Sequence, residues 1–567
     1  MPLATGSPHR FHIPVMGSGF TIDTPIKVAP WGIDSVISLV DDDALEVTRA
    51  WYLEHQGAPS SPIRADEPRA RQRRVTAWLD LVQDRVDAAF DTIRRGDLRP
   101  GSPLRTWFEL LPACPARTSF DQAIRDGRLD PPPSLLAFVR PGRVDVNIMT
   151  KLDRSLRDDG QPRGADESDA VAALIGFAGS RARGAIVFSA GFNPRLFAAL
   201  ARLPEFRRDH PQRKEVVLKV SDFRSAAVQA RYLAKSGIAV DEFRIESPIN
   251  CGGHAFVSDG RLLGDILQDF VDHLPGLALE LAARLGLPAD PPPRPPRLTV
   301  QGGLGLPGEA DLLLRRFDIA RTGWGSLFLL VPEVCAVDPA TLEKLEAATE
   351  SEIVLSGASP LGVPFWNLST SESEQVRQER IAAGHPGSPC FLGHIALEQD
   401  PQGRPVCRSS RSWQRATLAR IGNTDHPDAS AAVAETVARA CICYELGGTV
   451  RRLYGTGTRP CPPMVCPGPN LAYFPSRATF REMVDHIYGR GAVQVRADRP
   501  HFLLKEAMLY LDLLSPAAGT APRIRIGNPR EVRDNVVAGL ARYSTWGEPG
   551  LSREAEILAA RATNLEL

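Results

Sequence analysis

Short β-rich runs alternate with amphipathic helical runs along the first 333 residues of the chain. Apolar stretches that end in turn residues predict strands, and helix-period patterns separate most of them, as over residues 221–235 and 306–316. Such alternation is typical of parallel β-structure, and eight repeats favour an α/β protein with a closed (β/α)8 TIM barrel over an open doubly wound sheet. The predicted strands cover residues 12–16, 35–40, 144–149, 185–189, 215–220, 242–246, 297–301 and 318–322.

Two regions depart from this alternation. Residues 41–141, after the second predicted strand, have the pattern of charged amphipathic helices. They follow the carboxyl end of a strand, so this helical insertion has the position of a lid over the barrel mouth. Residues 334–567 form an appended C-terminal region whose Gly-, Pro- and aromatic-rich loops we expect to fold back over the mouth. The barrel itself is then made of residues 1–40 and 142–333.

The seventh and eighth predicted strands each end in a glycine-rich turn, and one helical pattern separates the two turns. Glycine backbone at the carboxyl end of a strand can approach a phosphate closely, and the following helix directs free N–H groups at the anion. TIM barrels use turns after strands seven and eight to hold phosphorylated cofactors. We therefore expect a flavin mononucleotide (FMN) site. The residues that would hold its phosphate are Gly302, Gly303, Gly323, Gly325 and Ser326.

Two other classes of function fit the same glycine-rich turns. A barrel of this kind can bind a sugar phosphate or nucleotide without redox chemistry, as an isomerase or lyase does. It can also bind flavin without turnover and use its insertion and C-terminal region to recruit partners. A yellow colour of the purified protein would distinguish a flavoprotein from the non-redox isomerase or lyase.

A Gly-Gly-His sequence follows the sixth predicted strand. Gly252, Gly253 and His254 would lie at the barrel mouth, where the carboxyl ends of the strands carry the chemistry. A histidine in that position can move a proton to or from a substrate. The alternative is a loop histidine whose ring nitrogens are satisfied by backbone groups.

The composition of the chain limits the binding partners and the cellular compartment that we expect for it. The 67 basic and 67 acidic residues cancel, so the chain gives no sign of a nucleic-acid partner. No apolar run approaches the roughly 18 residues of a membrane span, and the first ten residues lack the pattern of a signal peptide. Nine cysteines without an export signal favour the reducing cytoplasm.

Four strand-end motifs, taken in order, resemble a known family. Pro14, Met16, Gly17 and Gly19 end the first predicted strand, and Gly-Gly-His, Gly-Gly and Gly-x-Gly-Ser-x-Phe-x-x-x-Pro-Glu follow strands six, seven and eight. This pattern is similar to nitronate monooxygenase (2-nitropropane-dioxygenase-like) proteins, a family that includes flavin enoyl reductases of polyketide and fatty-acid synthesis. The resemblance covers roughly residues 10–333.

The resemblance implies an FMN-dependent oxidoreductase acting on a small organic or acyl substrate stacked on the flavin. It implies that Met16 and Gly17 lie against the isoalloxazine and that Asn147 and Lys219 border the flavin. It counts Gly253 and the five phosphate-loop residues as cofactor-binding and places His254 at the catalytic position. For Lys219 an equal alternative is a structural charge at the end of a strand.

The sequence also departs from the family pattern. Asn250 and Cys251 stand where the family usually has Glu-Ala, and Trp324 stands where a less bulky residue is common. The substrate is therefore open, as is the choice between a monooxygenase that uses O₂ and an enoyl-type reductase. A homodimer is compatible with both the monooxygenase and the reductase. So is a partner protein that donates electrons or carries an acyl group.

Six of the nine cysteines fall between residues 390 and 466. Thiolates beside glycine and proline are typical ligands of iron–sulfur clusters and zinc, and a cluster would favour the reductase. The alternative is that these are small buried hydrophobic residues. We expect at least Cys441 and Cys443 to lie near another cysteine of the C-terminal region. The candidate ligands are Cys390, Cys407, Cys441, Cys443 and Cys466.

Overall fold

The predicted barrel is present. A computed structural model describes residues 7–565 apart from residues 60, 190, 289, 423–427, 456–460, 515–523, 525 and 549. Eight parallel strands pair in chain order, and the eighth pairs back with the first to close the sheet. The barrel strands are β1 (Phe11–Ile13), β2 (Asp34–Ser38), β3 (Val144–Met149), β4 (Ala185–Ser189), β5 (Glu215–Val220), β6 (Glu242–Glu246), β7 (Arg297–Gln301) and β8 (Arg321–Gly323).

Strands β3 to β7 have the predicted bounds, and β2 begins one residue and ends two residues earlier than predicted. The displacements of β1 and β8 have identifiable reasons. β1 ends at Ile13 because Pro14 has no N–H to donate to a neighbouring strand. β8 begins only at Arg321 because Asp318, with φ of 48°, ends the preceding helix in a left-handed conformation. Both displacements lie next to the cavity described below.

Helices surround the barrel and continue through the C-terminal region, which also contains two short antiparallel strand pairs. The additional strands are β9 (Ile353–Ser356), β10 (Phe365–Leu368), β11 (Glu398–Gln399) and β12 (Pro405–Val406). The helices are α1 (Thr24–Val28), α2 (Asp42–Glu54), α3 (Ala70–Arg94), α4 (Pro103–Leu110), α5 (Pro115–Arg125), α6 (Pro133–Leu136), α7 (Asp169–Ala178), α8 (Pro194–Arg202), α9 (Phe223–Lys235), α10 (Leu263–Arg284), α11 (Pro307–Phe317), α12 (Pro339–Ala347), α13 (Glu372–Ala382), α14 (Arg411–Gly422), α15 (Ala429–Ala438), α16 (Ile442–Glu445), α17 (Gly448–Tyr454), α18 (Phe480–Ile487), α19 (Phe502–Leu514), α20 (Pro529–Ser544) and α21 (Leu551–Thr563).

The helical insertion has two parts. Helix α3 packs along α7, and the Thr76 hydroxyl donates to the Gly176 carbonyl at 2.9 Å. Its apolar face, which includes Trp78, belongs to the same core as the barrel. The later part, including Trp107 and Phe108, has a small core of its own. The insertion therefore supplies a helix to the barrel's outer layer as well as a separate helical unit.

The C-terminal region packs on the barrel and shares its hydrophobic core. Its strongest attachment is Arg451, whose guanidinium donates to both carboxylate oxygens of Asp41 at 2.8 and 3.0 Å. Burial alone would raise the pKa of Asp41, but Arg451 and His394 lower it below its ordinary value. Asp41 lies three positions after the end of β2, so this buried pair fixes the C-terminal region near the barrel mouth.

The barrel interior is filled below the mouth by paired charges. Arg244, which is 1% exposed, lies 2.8 Å from Glu242 and 3.4 Å from Asp145. Arg321 lies 2.8 Å from the same Glu242. This salt-bridge network closes the interior beneath the cavity. Among the described residues, no helix is long and apolar enough to cross a membrane.

Candidate functional site

One cavity of about 190 Å³ lies at the carboxyl ends of the barrel strands. It is lined by the predicted catalytic residue and by every predicted cofactor-binding residue, although these come from six of the eight strand ends. The residues that the structure brings together here are Met16, Gly17, Asn147, Lys219, Gly253, His254, Gly302, Gly303, Gly323, Gly325 and Ser326. Their individual roles remain predictions.

The turn after β7 exposes backbone donors to the cavity. Gly302 and Gly303 have positive φ values of 113° and 75°, which L side chains rarely adopt. Within the described chain, neither N–H group donates a hydrogen bond. Unpaired N–H groups in consecutive left-handed or turn conformations form a concave anion site.

The C-terminal region holds this turn in place. Asn470 donates to the Leu304 carbonyl at 2.9 Å, and Arg499 donates to the Gly303 carbonyl at 3.1 Å. A ring nitrogen of His486 lies 2.8 Å from the Gly305 carbonyl oxygen. Because the carbonyl groups are bound on one side, the N–H groups of the turn are left to face the cavity.

Two N–H groups that precede helix α11 are already occupied. We expected the N-terminus of this helix to direct free N–H groups at the phosphate, and this stays a prediction. The Glu309 carboxylate accepts from the N–H groups of Gly305 and Leu306 at 2.9 and 3.0 Å, and Arg499 binds the same carboxylate. This capping carboxylate leaves the N–H groups of Gly302 and Gly303 as the donors of the β7 turn.

The turn after β8 supplies a second set of donors. The N–H of Gly325 forms no hydrogen bond within the described residues. The Ser326 hydroxyl oxygen accepts from the Gly468 N–H at 3.0 Å, which leaves the hydroxyl proton available to a ligand. Both residues line the cavity, and β8 pairs with β7, so the two turns follow neighbouring strands.

Two buried amide oxygens on the cavity wall lack partners. Asn147 Oδ1 and Gln301 Oε1 form no hydrogen bond in the described structure. Buried polar atoms without partners cost free energy, and they are typical of a surface that binds a polar ligand. Both residues border the cavity at the ends of β3 and β7.

A buried ion pair lies beside these amides. Lys219 Nζ is 2.7 Å from Glu246 Oε2, and the Gln301 amide donates to Glu246 Oε1 at 2.7 Å. Lys219 and Glu246 keep 18% and 14% of their side-chain surface exposed, toward the cavity. The pair places one cation and one fixed carboxylate at the cavity edge.

His254 lies on the same wall and is tied to the C-terminal region. Its backbone pairs with Phe365 of β10, and its Nε2 lies 2.8 Å from the Ser359 hydroxyl oxygen. Enclosure of the ring, with the nearby Lys219 and Lys151 charges, lowers the pKa of His254 to about 3. The ring is therefore neutral at physiological pH.

Ser359 is the hydrogen-bond partner of His254 in the structure. The Ser359 oxygen accepts from the Leu361 N–H at 3.2 Å, and its own proton can be donated to His254 Nε2. In that arrangement Nδ1 carries the ring proton and can donate a hydrogen bond.

The cavity's outer wall comes from the C-terminal region, as the loop composition predicted. It is mostly apolar, and two of its residues carry thiols. None of the described residues of the 41–141 insertion lines the cavity, so its lid role remains a prediction that no contact supports. The residues of this C-terminal wall are Phe365, Ile395, Ile442, Cys443, Leu446, Cys466 and Asn470.

A second chamber of about 160 Å³ adjoins the first. The two share Lys219, Glu246, Cys251 and Phe256 as lining residues. Lys151, whose Nζ lies 5.0 Å from the Phe256 ring centre, stands at the wall of the second chamber. The two spaces together give a ligand more room than the first cavity alone.

The five candidate cysteine ligands are divided between the cavity wall and its surroundings. Cys466, next to Gly252, and Cys443 line the cavity, whereas Cys390, Cys407 and Cys441 do not. Within the described chain, no group of three or more His, Cys, Asp or Glu side chains is arranged to hold a metal ion. The structure thus does not support the iron–sulfur or zinc hypothesis.

The narrower expectation for the cysteines is met. Interaction with Cys441 and Cys443 lowers the pKa of Cys390, and the same interaction raises the pKa of Cys441. Cys407 lies 3.1 Å from the Ser409 hydroxyl oxygen and is buried.

Comparisons with known proteins give distant structural neighbours. A scan against models of known protein families returns no match, and no curated protein matches the sequence significantly. A point mutant of FabK from Thermotoga maritima is 13% identical, with a TM-score of 0.31, over 63% of this chain and 77% of its own. Nitroalkane oxidase from Streptomyces ansochromogenes is 10% identical, with a TM-score of 0.36, over 86% of this chain and 95% of its own. At these levels of similarity, the geometry of the site carries the functional interpretation.

Several residues that build the site gave no local signal in the sequence. Ser359, Gly468, Asn470 and Arg499 act through contacts with barrel loops more than 100 positions away. Pairing partners at such separations are set by tertiary structure. Only the Gly- and Pro-rich composition of the C-terminal region indicated that its loops would reach the barrel mouth.

Proposed function

We propose that this protein is an FMN-dependent oxidoreductase of the nitronate-monooxygenase-like type, acting on a small organic or acyl substrate. The observation that carries the proposal is the convergence of two phosphate-type turns, two unpaired amide oxygens and a lysine on one strand-end cavity. When bound, FMN would supply transfer of a hydride or of single electrons to or from a substrate that stacks on its ring.

The two glycine-rich turns would hold the phosphate. The N–H groups of Gly302, Gly303 and Gly325 have no hydrogen-bond partner among the described residues, and the Ser326 hydroxyl has a proton to donate. Charge-assisted hydrogen bonds of this kind are each worth about 1.5–3 kcal/mol. A phosphate dianion satisfies all of these donors at once, which a neutral ligand cannot do.

The strand ends beneath the turns suit the flavin ring. Asn147 and Gln301 present amide groups that can pair with the ring's polar edge, and Lys219 supplies a cation. A lysine near a flavin stabilises negative charge on the reduced ring. Met16 and Gly17 offer an apolar surface and close backbone on which the ring can lie.

His254 would hold or deliver a proton to substrate through Nδ1. Its pKa of about 3 makes it a weak base at neutral pH, so hydrogen bonding to a developing oxyanion is the favoured role. Ser359 fixes its orientation. Cys251 beside it is a neutral thiol, because burial raises its pKa well above the ordinary value.

An enoyl-type reductase that receives its electrons from a cysteine-ligated cluster has less support, because the described residues provide no metal site. A non-redox isomerase or lyase would use the phosphate turns but gives no role to the unpaired Asn147 and Gln301 oxygens around a ring-sized space. The flavin proposal accounts for both features.

The absorption spectrum of the purified protein tests the proposal. We expect flavin bands and the release of FMN, identified by mass, on denaturation. Anaerobic addition of NADH or NADPH separates the two redox routes, since bleaching of the bands supports a reductase, and bleaching by a nitronate supports a monooxygenase. A colourless protein that takes up no FMN would overturn the proposal.

A further inference from the structure

Two opposite charges face each other in the cavity. Among the described residues that line it, Glu246 is the only carboxylate and Lys219 is the only lysine or arginine. Lys219 Nζ lies 2.7 Å from Glu246 Oε2, and both side chains keep part of their surface exposed. The Gln301 amide donates to Glu246 Oε1 at 2.7 Å, so both carboxylate oxygens are held. The cavity therefore contains one cation and one anion in a fixed pair.

The other titratable groups of the cavity leave this balance unchanged. The His254 ring is neutral, because burial lowers its pKa to about 3. Thiols such as Cys251 and Cys466 are neutral as well, because burial raises their pKa above the ordinary value. Lys151 adds a further cation in the second chamber but does not line the first. Within the first cavity, the charge of Lys219 is thus matched by that of Glu246.

A balanced pair and a lone lysine act differently on a flavin. The reduced ring can carry a negative charge that the oxidised ring lacks, so a lone cation beside the ring stabilises the reduced form. A carboxylate held against that cation offsets its field. A charge within about 4–6 Å of a titrating group shifts the equilibrium of that group by about one to three powers of ten, so the offset is large enough to measure.

We propose that Glu246 is a positioning residue that lowers the reduction potential of bound FMN by holding Lys219 and offsetting its charge. The inference rests on the proposed function, which assigns Lys219 to the flavin ring. When Glu246 loses its charge, Lys219 becomes an uncompensated cation, and bound flavin becomes easier to reduce. A salt bridge that serves only to hold β5 against β6 would change stability and leave the potential unchanged.

The reduction potential of FMN bound to the full-length protein tests this role. Holoprotein and a dye of known potential are reduced slowly together by dithionite without oxygen, and their spectra are followed to equilibrium. Glu246→Gln removes the charge and keeps the size of the side chain. We expect it to shift the equilibrium at least about tenfold toward reduced flavin, which is a potential about 30 mV more positive for a two-electron couple.

Two further variants test whether the effect acts through Lys219. The double variant Lys219→Met, Glu246→Gln removes both charges, so its potential should return toward the wild-type value. Glu246→Asp keeps the charge but draws it back from Lys219, so it should give a smaller positive shift. The Asp variant also keeps the test decisive if Glu246→Gln does not retain FMN.

Glu280→Gln is the matched control. The Glu280 carboxylate pairs with Arg231 and Arg284 at 2.9 Å and lines neither chamber. The same chemical change is made there to a paired carboxylate outside the site. Its potential should equal that of the wild type.

Three results would overturn the inference while the proposed function stands. One is an unchanged potential in Glu246→Gln and Glu246→Asp proteins that contain FMN. Another is a double variant shifted as far as Glu246→Gln, and the third is an equal shift in Glu280→Gln. Wild-type protein that binds no FMN would overturn the proposed function as well, and the flavin content measured before each titration distinguishes that failure from the other three.

Discussion

The barrel side and the C-terminal side of the cavity differ in chemistry. The barrel side presents free backbone N–H groups, amides and the Lys219–Glu246 pair. The C-terminal side presents apolar side chains such as Ile442 and Leu446. Polar groups on rigid strand ends suit a charged cofactor, whereas an apolar cover excludes water from the substrate. Under the proposed function, the barrel side would bind the cofactor and the C-terminal side would shape the substrate space.

The two sides are nevertheless mechanically dependent. Asn470 and Arg499 of the C-terminal region bind carbonyl groups of the β7 turn, and Ser359 binds His254. The polar side therefore keeps its geometry only while the apolar side is attached. Each variant below cuts one connection between them.

The largest expected effect comes from His254, where the sides meet. His254→Ala should retain flavin but lower turnover by roughly 10²–10⁴-fold, which is the usual rate contribution of one group that transfers a proton in catalysis. Initial rates with the nitronate or enoyl thioester that the wild type accepts measure this. Because the pKa of His254 is about 3, the wild-type rate should show no inflection from this group between about pH 5 and 8.

Ser359→Ala is the matched control for that variant. It leaves the imidazole in place without its partner, so we expect a smaller fall in rate. Equal rates for the wild type and His254→Ala would assign His254 a structural role.

The second prediction concerns the attachment itself. Arg451→Met removes the guanidinium partner of the buried Asp41 and leaves it the weaker contact with His394; breaking a buried pair typically costs about 3–5 kcal/mol in the free energy of unfolding. Urea denaturation measures the loss. Adding Asp41→Asn should recover part of it, since the unpaired charge is then removed.

An exposed pair provides the comparison. Arg477 pairs with Glu346 but keeps 54% of its side chain exposed, so Arg477→Met should unfold close to the wild type. Similar losses for the Arg451 and Arg477 variants would contradict the view that the buried pair attaches the C-terminal region.

The third prediction is a pH dependence with a smaller effect. Burial alone would lower the pKa of His394, but Asp169 and Asp41 raise it to about 9, with Asp42 adding to this and Arg71 opposing it. A raised pKa means that the stabilisation is complete below the unfolded value of about 6.5 and is lost as pH rises through 9. The expected loss is on the order of 1–3 kcal/mol.

Unfolding curves between about pH 6 and 10 measure this loss as the difference between the wild type and His394→Gln. The variant should lie below the wild type at low pH and converge with it at high pH. A difference that does not change with pH would show that the ion pairs of His394 do not titrate in this range.

The sequence predicted the barrel side well and the C-terminal side only in outline. Strand ends such as Lys219 and Gly303 could be placed because local apolar periodicity and glycine turns encode them. Ser359 and Asn470 could not be placed, because nothing near them in the chain indicates which loop they contact. The cap formed by Glu309 was also missed, although Glu309 lies at the third position of α11, where capping carboxylates occur.

The structure shows which glycine of the two turns is better suited to mutagenesis. A side chain at Gly303 would meet the Asn250 amide at 2.1 Å, so a substitution there disturbs the loop itself. Gly325 has an ordinary φ of −104°, and the nearest atom to an added Cβ is Pro14 Cγ at 3.2 Å. Gly325→Val is therefore the cleaner variant, and Gly308→Val, whose Cβ would meet nothing within 4 Å, is its control.

The central claim is that the two strand-end turns bind the phosphate of FMN. The ratio of the Kd for riboflavin to the Kd for FMN, measured by flavin fluorescence on the apoprotein, tests it most directly because the ligands differ only in that phosphate. Two or more charge-assisted hydrogen bonds predict a ratio of at least about 10² for the wild type and for Gly308→Val, falling toward unity in Gly325→Val. Equal affinities for FMN and riboflavin in the wild type would contradict the account.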